Sequence, residues 1–159
     1  MPVHWFCREC WSEVAEEAVM CPVCGATLAG TRERSFVQKL IAALRHPEPE
    51  TTVRAAQTLG ELEIEEAIPA LIEALGRSDD PYLLEAAASS LGRLGAAQAV
   101  PALHTVLRSS FLIVRLAAAK ALGRIGTPEA LAALEEGCHD RSERVRRAVA
   151  EQLVRWKTA

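Results

Sequence analysis

Most of this chain repeats itself every 31 or 32 residues. Leu59-Gly60, Leu91-Gly92 and Leu122-Gly123 fall in one register, and Leu153-Val154 continues it with valine in the glycine position. Eight residues past each of the first three leucines a second segment recurs: Ala67 to Leu71, Ala99 to Leu103 and Ala130 to Leu134. The register also runs backwards, with Val37, Leu40 and Leu44 lying 31 residues before Ile68, Leu71 and Leu75. A period of this length with two apolar patterns per unit is the signature of a solenoid, in which each unit buries its apolar face only by stacking on its neighbours.

Each unit reads as two amphipathic helices. Val114, Ala118, Ala121, Leu122 and Ile125 share one face of a first helix, and Leu131, Leu134 and Cys138 share one face of its partner. Cys138 aligns with Leu75 and Leu107, so it is expected to be a small buried apolar side chain. Thr127-Pro128 and Asp80-Pro81 each offer an N-cap followed by proline at the first helical position. Asp140 with Glu143 resembles a capping box. Gly95 and Gly126 suit left-handed helix ends. These signals predict eight helices, at about 32–45, 50–62, 65–77, 81–94, 97–109, 113–126, 128–139 and 142–157. The first is the second half of an incomplete repeat, and the last is the first half of another. Ala86 to Ala88 and Ala117 to Ala119 give small faces on which helices can approach closely. Only 4% of residues are aromatic, which fits close-packed helices.

The motif Val114-Arg115-Leu116-Ala117-Ala118-Ala119-Lys120-Ala121-Leu122-Gly123 is similar to HEAT-like repeats of the phycobilin-lyase type, and Val145-Arg146-Arg147-Ala148 matches a second time. Leu83-Leu84-Glu85 and Thr51-Thr52-Val53 depart at the Val-Arg positions. The resemblance covers residues 35–157. It implies an all-α fold, a right-handed α-solenoid of HEAT-type helix pairs, and leaves function open, because such repeats serve scaffolds, adaptors and some enzymes.

The first thirty residues differ in character. Residues 1–30 are read as a four-cysteine module and residues 31–159 as the solenoid. Cys7-x-x-Cys10 and Cys21-x-x-Cys24 are separated by ten residues. Four thiolates so spaced suit one tetrahedral Zn2+, and four protein ligands close the site, so the expected ion is structural, one per chain. Rubredoxin-like iron and a redox dithiol are the alternatives. Residues 7–28 look like the short zinc ribbons at the ends of many prokaryotic proteins. Trp11 departs from that pattern, standing where such ribbons have glycine after the second cysteine. His4 is read as a surface histidine. So small a module cannot fold on burial alone. Trp5, Phe6, Trp11 and Val19 are expected to cover the open N-terminal end of the solenoid; a docking surface for a partner is the alternative.

Catalytic chemistry is not evident. The repeat glycines stand at helix ends, and no phosphate-binding loop is present. An acid–base pair of His104 and His139 with Glu135 or Glu136 is a minor alternative to solvated surface residues. The formal charge of −3 excludes a globally basic nucleic-acid binder. Residues 141–157 are locally basic, with six cations against Glu143 and Glu151. No apolar stretch reaches the length of a membrane span. Met1-Pro2-Val3-His4-Trp5 lacks the layout of a signal peptide, so the expected location is the cytoplasm. The functional expectation is a non-catalytic adaptor or scaffold that binds another protein. The second helices present a ridge that includes Gln38, Arg45, Glu73, His104, Arg108, Glu136 and His139. The turn carrying Phe111 and Leu112 is apolar where its repeat neighbours are polar, which marks it as a partner contact. A nucleic-acid-associated factor using the ribbon and the basic end is the alternative, followed by a bilin-lyase-like subunit.

Overall fold

The computed structural model describes residues 5–7, 9–15, 18–28 and 36–157. His4 and the expected boundary at residues 30–31 lie outside them. The described residues contain eight α-helices: α1 (Phe36–Ala43), α2 (Pro49–Glu61), α3 (Ile68–Arg77), α4 (Pro81–Arg93), α5 (Val100–Val106), α6 (Leu112–Ile125), α7 (Pro128–Glu136) and α8 (Glu143–Lys157). Two short strands, β1 (Trp5–Phe6) and β2 (Glu13–Val14), pair antiparallel in the N-terminal module.

The helices form two layers. In one, α2 packs on α4, α4 on α6 and α6 on α8; in the other, α3 packs on α5 and α5 on α7. This is the α-solenoid that the repeat predicts. The two recurring leucine columns are its centre: Leu59, Leu91 and Leu122 in the first layer and Leu71, Leu103 and Leu134 in the second are all fully buried. The first-layer helices approach so closely that a side chain at the repeat glycines would collide with the next helix. A Cβ on Gly92 would lie 2.6 Å from Ala121 Cα, and one on Gly123 would lie 2.5 Å from Gln152 Cβ. The buried polar side chains of the helices are paired: Ser90 Oγ donates to the Ala56 carbonyl at 2.8 Å and Thr52 Oγ1 to the Pro49 carbonyl at 2.7 Å.

Local signals set several helix ends. The Asp80 carboxylate accepts from the Tyr82 amide at 2.9 Å, and Thr127 Oγ1 accepts from the Ala130 amide at 3.2 Å. Gly126 closes α6 at φ +64°, and Gly95 follows α4 at φ +59°. The segments expected to be helical from 65 and 97 begin instead as single 3-10 turns, Glu65–Ala67 and Ala97–Ala99. Pro69 and Pro101 stand four residues beyond each start. An α-helix would need their missing N–H, and their rings would clash with the carbonyl four residues back.

Two expectations are corrected. Cys138 is exposed. α7 gives way to a 3-10 turn over Gly137–His139, which turns Gly137 inward and Cys138 out. The inward site has no room for a side chain, since a Cβ on Gly137 would meet Val149 Cγ2 at 2.7 Å. The capping box at Asp140 and Glu143 is also absent: the Asp140 carboxylate accepts from the Ser142 amide at 2.7 Å and is otherwise committed to Arg115.

Candidate metal centre and interaction surfaces

The two Cys-x-x-Cys segments fold into the same turn. Trp11 N donates to the Cys7 carbonyl at 2.8 Å and Cys7 N to the Ser12 carbonyl at 2.9 Å. Gly25 N donates to the Cys21 carbonyl at 2.9 Å and Cys21 N to the Ala26 carbonyl at 2.8 Å. Both turns place the residue after the second cysteine in left-handed backbone: Gly25 at φ +73° and Trp11 at φ +57°. The position where the ribbon pattern has glycine therefore keeps glycine's conformation. Holding tryptophan there costs about 1–3 kcal/mol.

These turns bring the four sulfurs within 4.8 Å of one another. Cys7 Sγ lies 3.5 Å from Cys24 Sγ, and Cys10 Sγ lies 3.6 Å from Cys21 Sγ. A tetrahedron with metal–sulfur bonds of about 2.3 Å has edges of about 3.8 Å, so Cys7, Cys10, Cys21 and Cys24 fit one shared ion. Among the described residues they are the one cluster of three or more side chains that can do so. The sulfurs titrate unevenly. Ser12, through its hydroxyl and then its amide, draws the Cys10 thiol down to about 6. At Cys7 burial opposes ionisation, but backbone amides led by that of Cys10 outweigh it and lower the thiol. At Cys24 the Ala26 amide favours the thiolate, yet burial and the neighbouring sulfurs push the thiol up to about 12. Four sulfurs gathered this tightly can all ionise only with a cation among them.

The ribbon meets the solenoid through residues on either side of Cys10. Trp11 packs edge-on against His46, with ring centroids 4.3 Å apart and planes at 64°. Glu9 Oε2 accepts from Arg45 Nη1 at 3.1 Å. Of the apolar residues expected to cover this end, Trp11 does so, whereas Phe6 and Val19 are exposed.

Along the second-layer helices two ion-pair clusters form with the same 28-residue offset: Arg45 donates to Glu73 at 2.7 and 2.8 Å, and Arg108 donates to Glu136 at 2.5 Å. His104 Nε2 joins the second cluster, 3.0 Å from Glu136 Oε1. Arg108, then His104, holds the Glu136 carboxyl below its ordinary value. The intervening repeat breaks the ladder because Thr105 occupies the acid's register. His139 is exposed on the 3-10 turn, where it lines a groove with Arg108, Ser110, Arg115, Glu136 and Arg141.

Phe111 is 42% exposed at the N-cap of α6, and Ile113 is 40% exposed. Leu112, singled out with Phe111 in the sequence, is half-buried and packs on the core. The turn below them rests on a group that the sequence reading missed. The Arg115 side chain is 5% exposed and pairs with Asp140, itself 10% exposed, at 2.8 Å. Arg115 Nη1 also donates to the carbonyls of Ser109 and Ser110 at 2.9 and 3.1 Å. Burial opposes the charge on Asp140, but Arg115, the Ser142 amide and Arg141 outweigh it and hold the carboxyl below its ordinary range. The signal was present in the Val114-Arg115 pair; its partner 25 residues on was not.

Comparison with known proteins follows the fold. The family described as HEAT repeats matches residues 37–110 and 68–155. The structure of human deoxyhypusine hydroxylase in complex with glycerol is similar over 80% of this chain and 45% of that one, at 31% identity and a TM-score of 0.69. The chain thus spans less than half of that enzyme's length. The complex of CpcE and CpcF of phycocyanin lyase from Nostoc is similar over 82% of this chain and 68% of that one, at 23% identity and a TM-score of 0.58. An engineered protein matches 76% of this chain and 63% of its own length, at 23% identity and a TM-score of 0.59. No curated protein matches in sequence. No helix among the described residues is long and apolar enough to cross a membrane.

Proposed function

The chain belongs to the HEAT-repeat proteins, and on that premise we propose that it is a non-catalytic adaptor that binds another protein and carries one structural Zn2+. The observation that carries this reading is the turn at Ser109 to Ile113. It exposes Phe111 and Ile113 on a backbone pinned from beneath by the buried Arg115–Asp140 pair. An aromatic side chain presented on a rigid base loses little entropy on binding and suits an interface anchor. Leu112 supports that anchor from the core side. The ridge of Arg45, Glu73, His104, Arg108, Glu136 and His139 supplies polar surroundings of mixed sign, which suit a protein surface. Zn2+ at Cys7, Cys10, Cys21 and Cys24 is supported by the all-sulfur, closed ligand set.

The test is recovery of partners from the native host with the wild-type chain and with Phe111→Ser/Ile113→Glu. Phe111 and Ile113 are 42% and 40% exposed and lie outside the buried core, so the variant should stay folded, as helical circular dichroism checks, while recovery falls tenfold or more, on the order of the 2 kcal/mol of a hot spot. Full recovery with a folded double variant overturns the assignment of this surface.

One observation favours a second reading, an enzyme: the similarity to human deoxyhypusine hydroxylase. Assay of the purified chain for that hydroxylase activity separates the two. Turnover replaces the adaptor reading.

A further inference from the structure

A groove runs along the first layer between α4 and α6, which are flanked in turn by α2 and α8. Tyr82, Ile113 and Leu116 line it toward the end where the two helices begin, and Arg93, Lys120 and Arg124 line it toward the other. Tyr82 is 65% exposed and Ile113 40%. Ala117 and Ala121, both buried, also line it, so a side chain lying there meets small residues. From Ile113 to Arg124 is eleven residues of helix, about 16 Å.

The charge at the far end is not balanced within the fold. Arg45, Arg77, Arg108 and Arg115 each meet a carboxylate. Arg93, Lys120 and Arg124 are exposed and meet none among the described residues. The carbonyl ends of α4 and α6 favour Arg93 and Arg124 in their last turns, but Lys120 stands a turn earlier, where that reason does not apply. The one acid lining the groove, Glu85, shares the register of Leu116 toward the apolar end and accepts from Ser89 Oγ at 3.3 Å. On the other side of α4 the groove shared with α2 has the opposite balance, Glu50 and Asp80 against Arg54. The cationic end therefore belongs to the α4–α6 groove and not to the first layer at large.

We propose that this groove receives a segment of the partner protein that is apolar at one end and acidic at the other. Its apolar side chain lies against Tyr82, Ile113 and Leu116, and its carboxylates meet Arg93, Lys120 and Arg124. The inference rests on the adaptor reading, since Ile113 belongs to both surfaces. Five extended residues at about 3.3 Å each cover the length of the groove. Guanidinium groups hold carboxylates through paired hydrogen bonds, and opposite charge speeds the encounter. The apolar end favours a peptide over a bare polyphosphate chain, which would use the cations alone.

The test selects random displayed peptides on the full-length chain and titrates the enriched ones by fluorescence anisotropy. Enriched sequences should place an apolar residue about four to six positions from two or more carboxylates. Lys120→Glu and Arg124→Glu should each weaken the peptide about tenfold or more, as reversing one charge of a close pair does. Arg54→Glu, the matched reversal in the neighbouring groove, should leave the titration unchanged. Affinity should fall in about 1 M salt, where screening shortens to about 3 Å. Helical circular dichroism checks that each variant is folded, and Arg124→Gln replaces Arg124→Glu if the latter melts. The proposal is overturned if the selection enriches no acidic peptide, or if the enriched peptide binds the folded Lys120 and Arg124 variants undiminished. An equal loss from Arg54→Glu overturns it too, since net charge alone would then be at work. So does a single-stranded oligonucleotide that binds more tightly than the peptide through the same cations. The adaptor reading is judged separately, by recovery from the native host with Phe111→Ser/Ile113→Glu, so the two can fail independently.

Discussion

Arg115 and Asp140 form a buried ion pair across the junction of two repeats, with Nε 2.8 Å from Oδ2 and side chains 5% and 10% exposed. The pair is fixed further by the Ser109 and Ser110 carbonyls and the Ser142 amide. Arg115→Ala should destabilise the fold by about 3–5 kcal/mol in urea melts, because it strands a buried carboxylate. The pair also sets an acid limb. Asp140 titrates below its ordinary value, so its contribution is whole above about 3.9 and is lost as pH falls through its lower folded-state value. Wild-type stability should drop over that acid window, and Asp140→Asn should flatten the drop.

Gly92 and Gly76 are both helical, yet substitution should act with opposite sign. A Cβ on Gly92 meets Ala121 Cα at 2.6 Å, whereas one on Gly76 meets nothing within 4 Å. Gly92→Ala must push α4 from α6 and should cost about 1–3 kcal/mol. Gly76→Ala should raise stability by about 0.5–1 kcal/mol through lost unfolded-state entropy. Equal shifts in thermal melts would show that the first-layer spacing is not tight.

Leu103 is fully buried, while Glu73 is exposed and paired with Arg45. Leu103→Ala should cost about 2–5 kcal/mol. Glu73→Ala should cost about 1 kcal/mol at most, as solvent screens the pair. Chemical denaturation of the two variants compares them directly.

Removal of metal by a chelator should release free thiols from Cys7, Cys10, Cys21 and Cys24 and leave the far-ultraviolet helical signal largely intact. The ribbon depends on its ion, whereas stacked repeats stabilise one another. Tryptophan fluorescence should change at the same time, because Trp11 leaves His46. Collapse of the helical signal would mean that the ribbon is indispensable to the stack. Elemental analysis before chelation should give about one zinc per chain.

The sequence by itself determined the solenoid. Its period placed eight helices, its leucine columns picked out the fully buried residues, and its paired cysteines marked the four-sulfur cluster that can hold a metal. These are local matters: which face of a helix is apolar depends on residues three and four apart, and a knuckle is closed by neighbours. Tertiary structure alone decided what meets across repeats. Asp140 looked like a helix cap until packing brought Arg115 to it. Cys138 kept its column in the sequence, but a 3-10 turn brought Gly137 inward against Val149 and put the sulfur outside. Trp11 broke the ribbon pattern in sequence and kept its left-handed backbone in space, where His46 gives its indole a surface to rest on. Helical spacing fixes direction around one axis; the distance and tilt between two axes are set by every side chain in the contact together, and no single stretch of sequence holds that information.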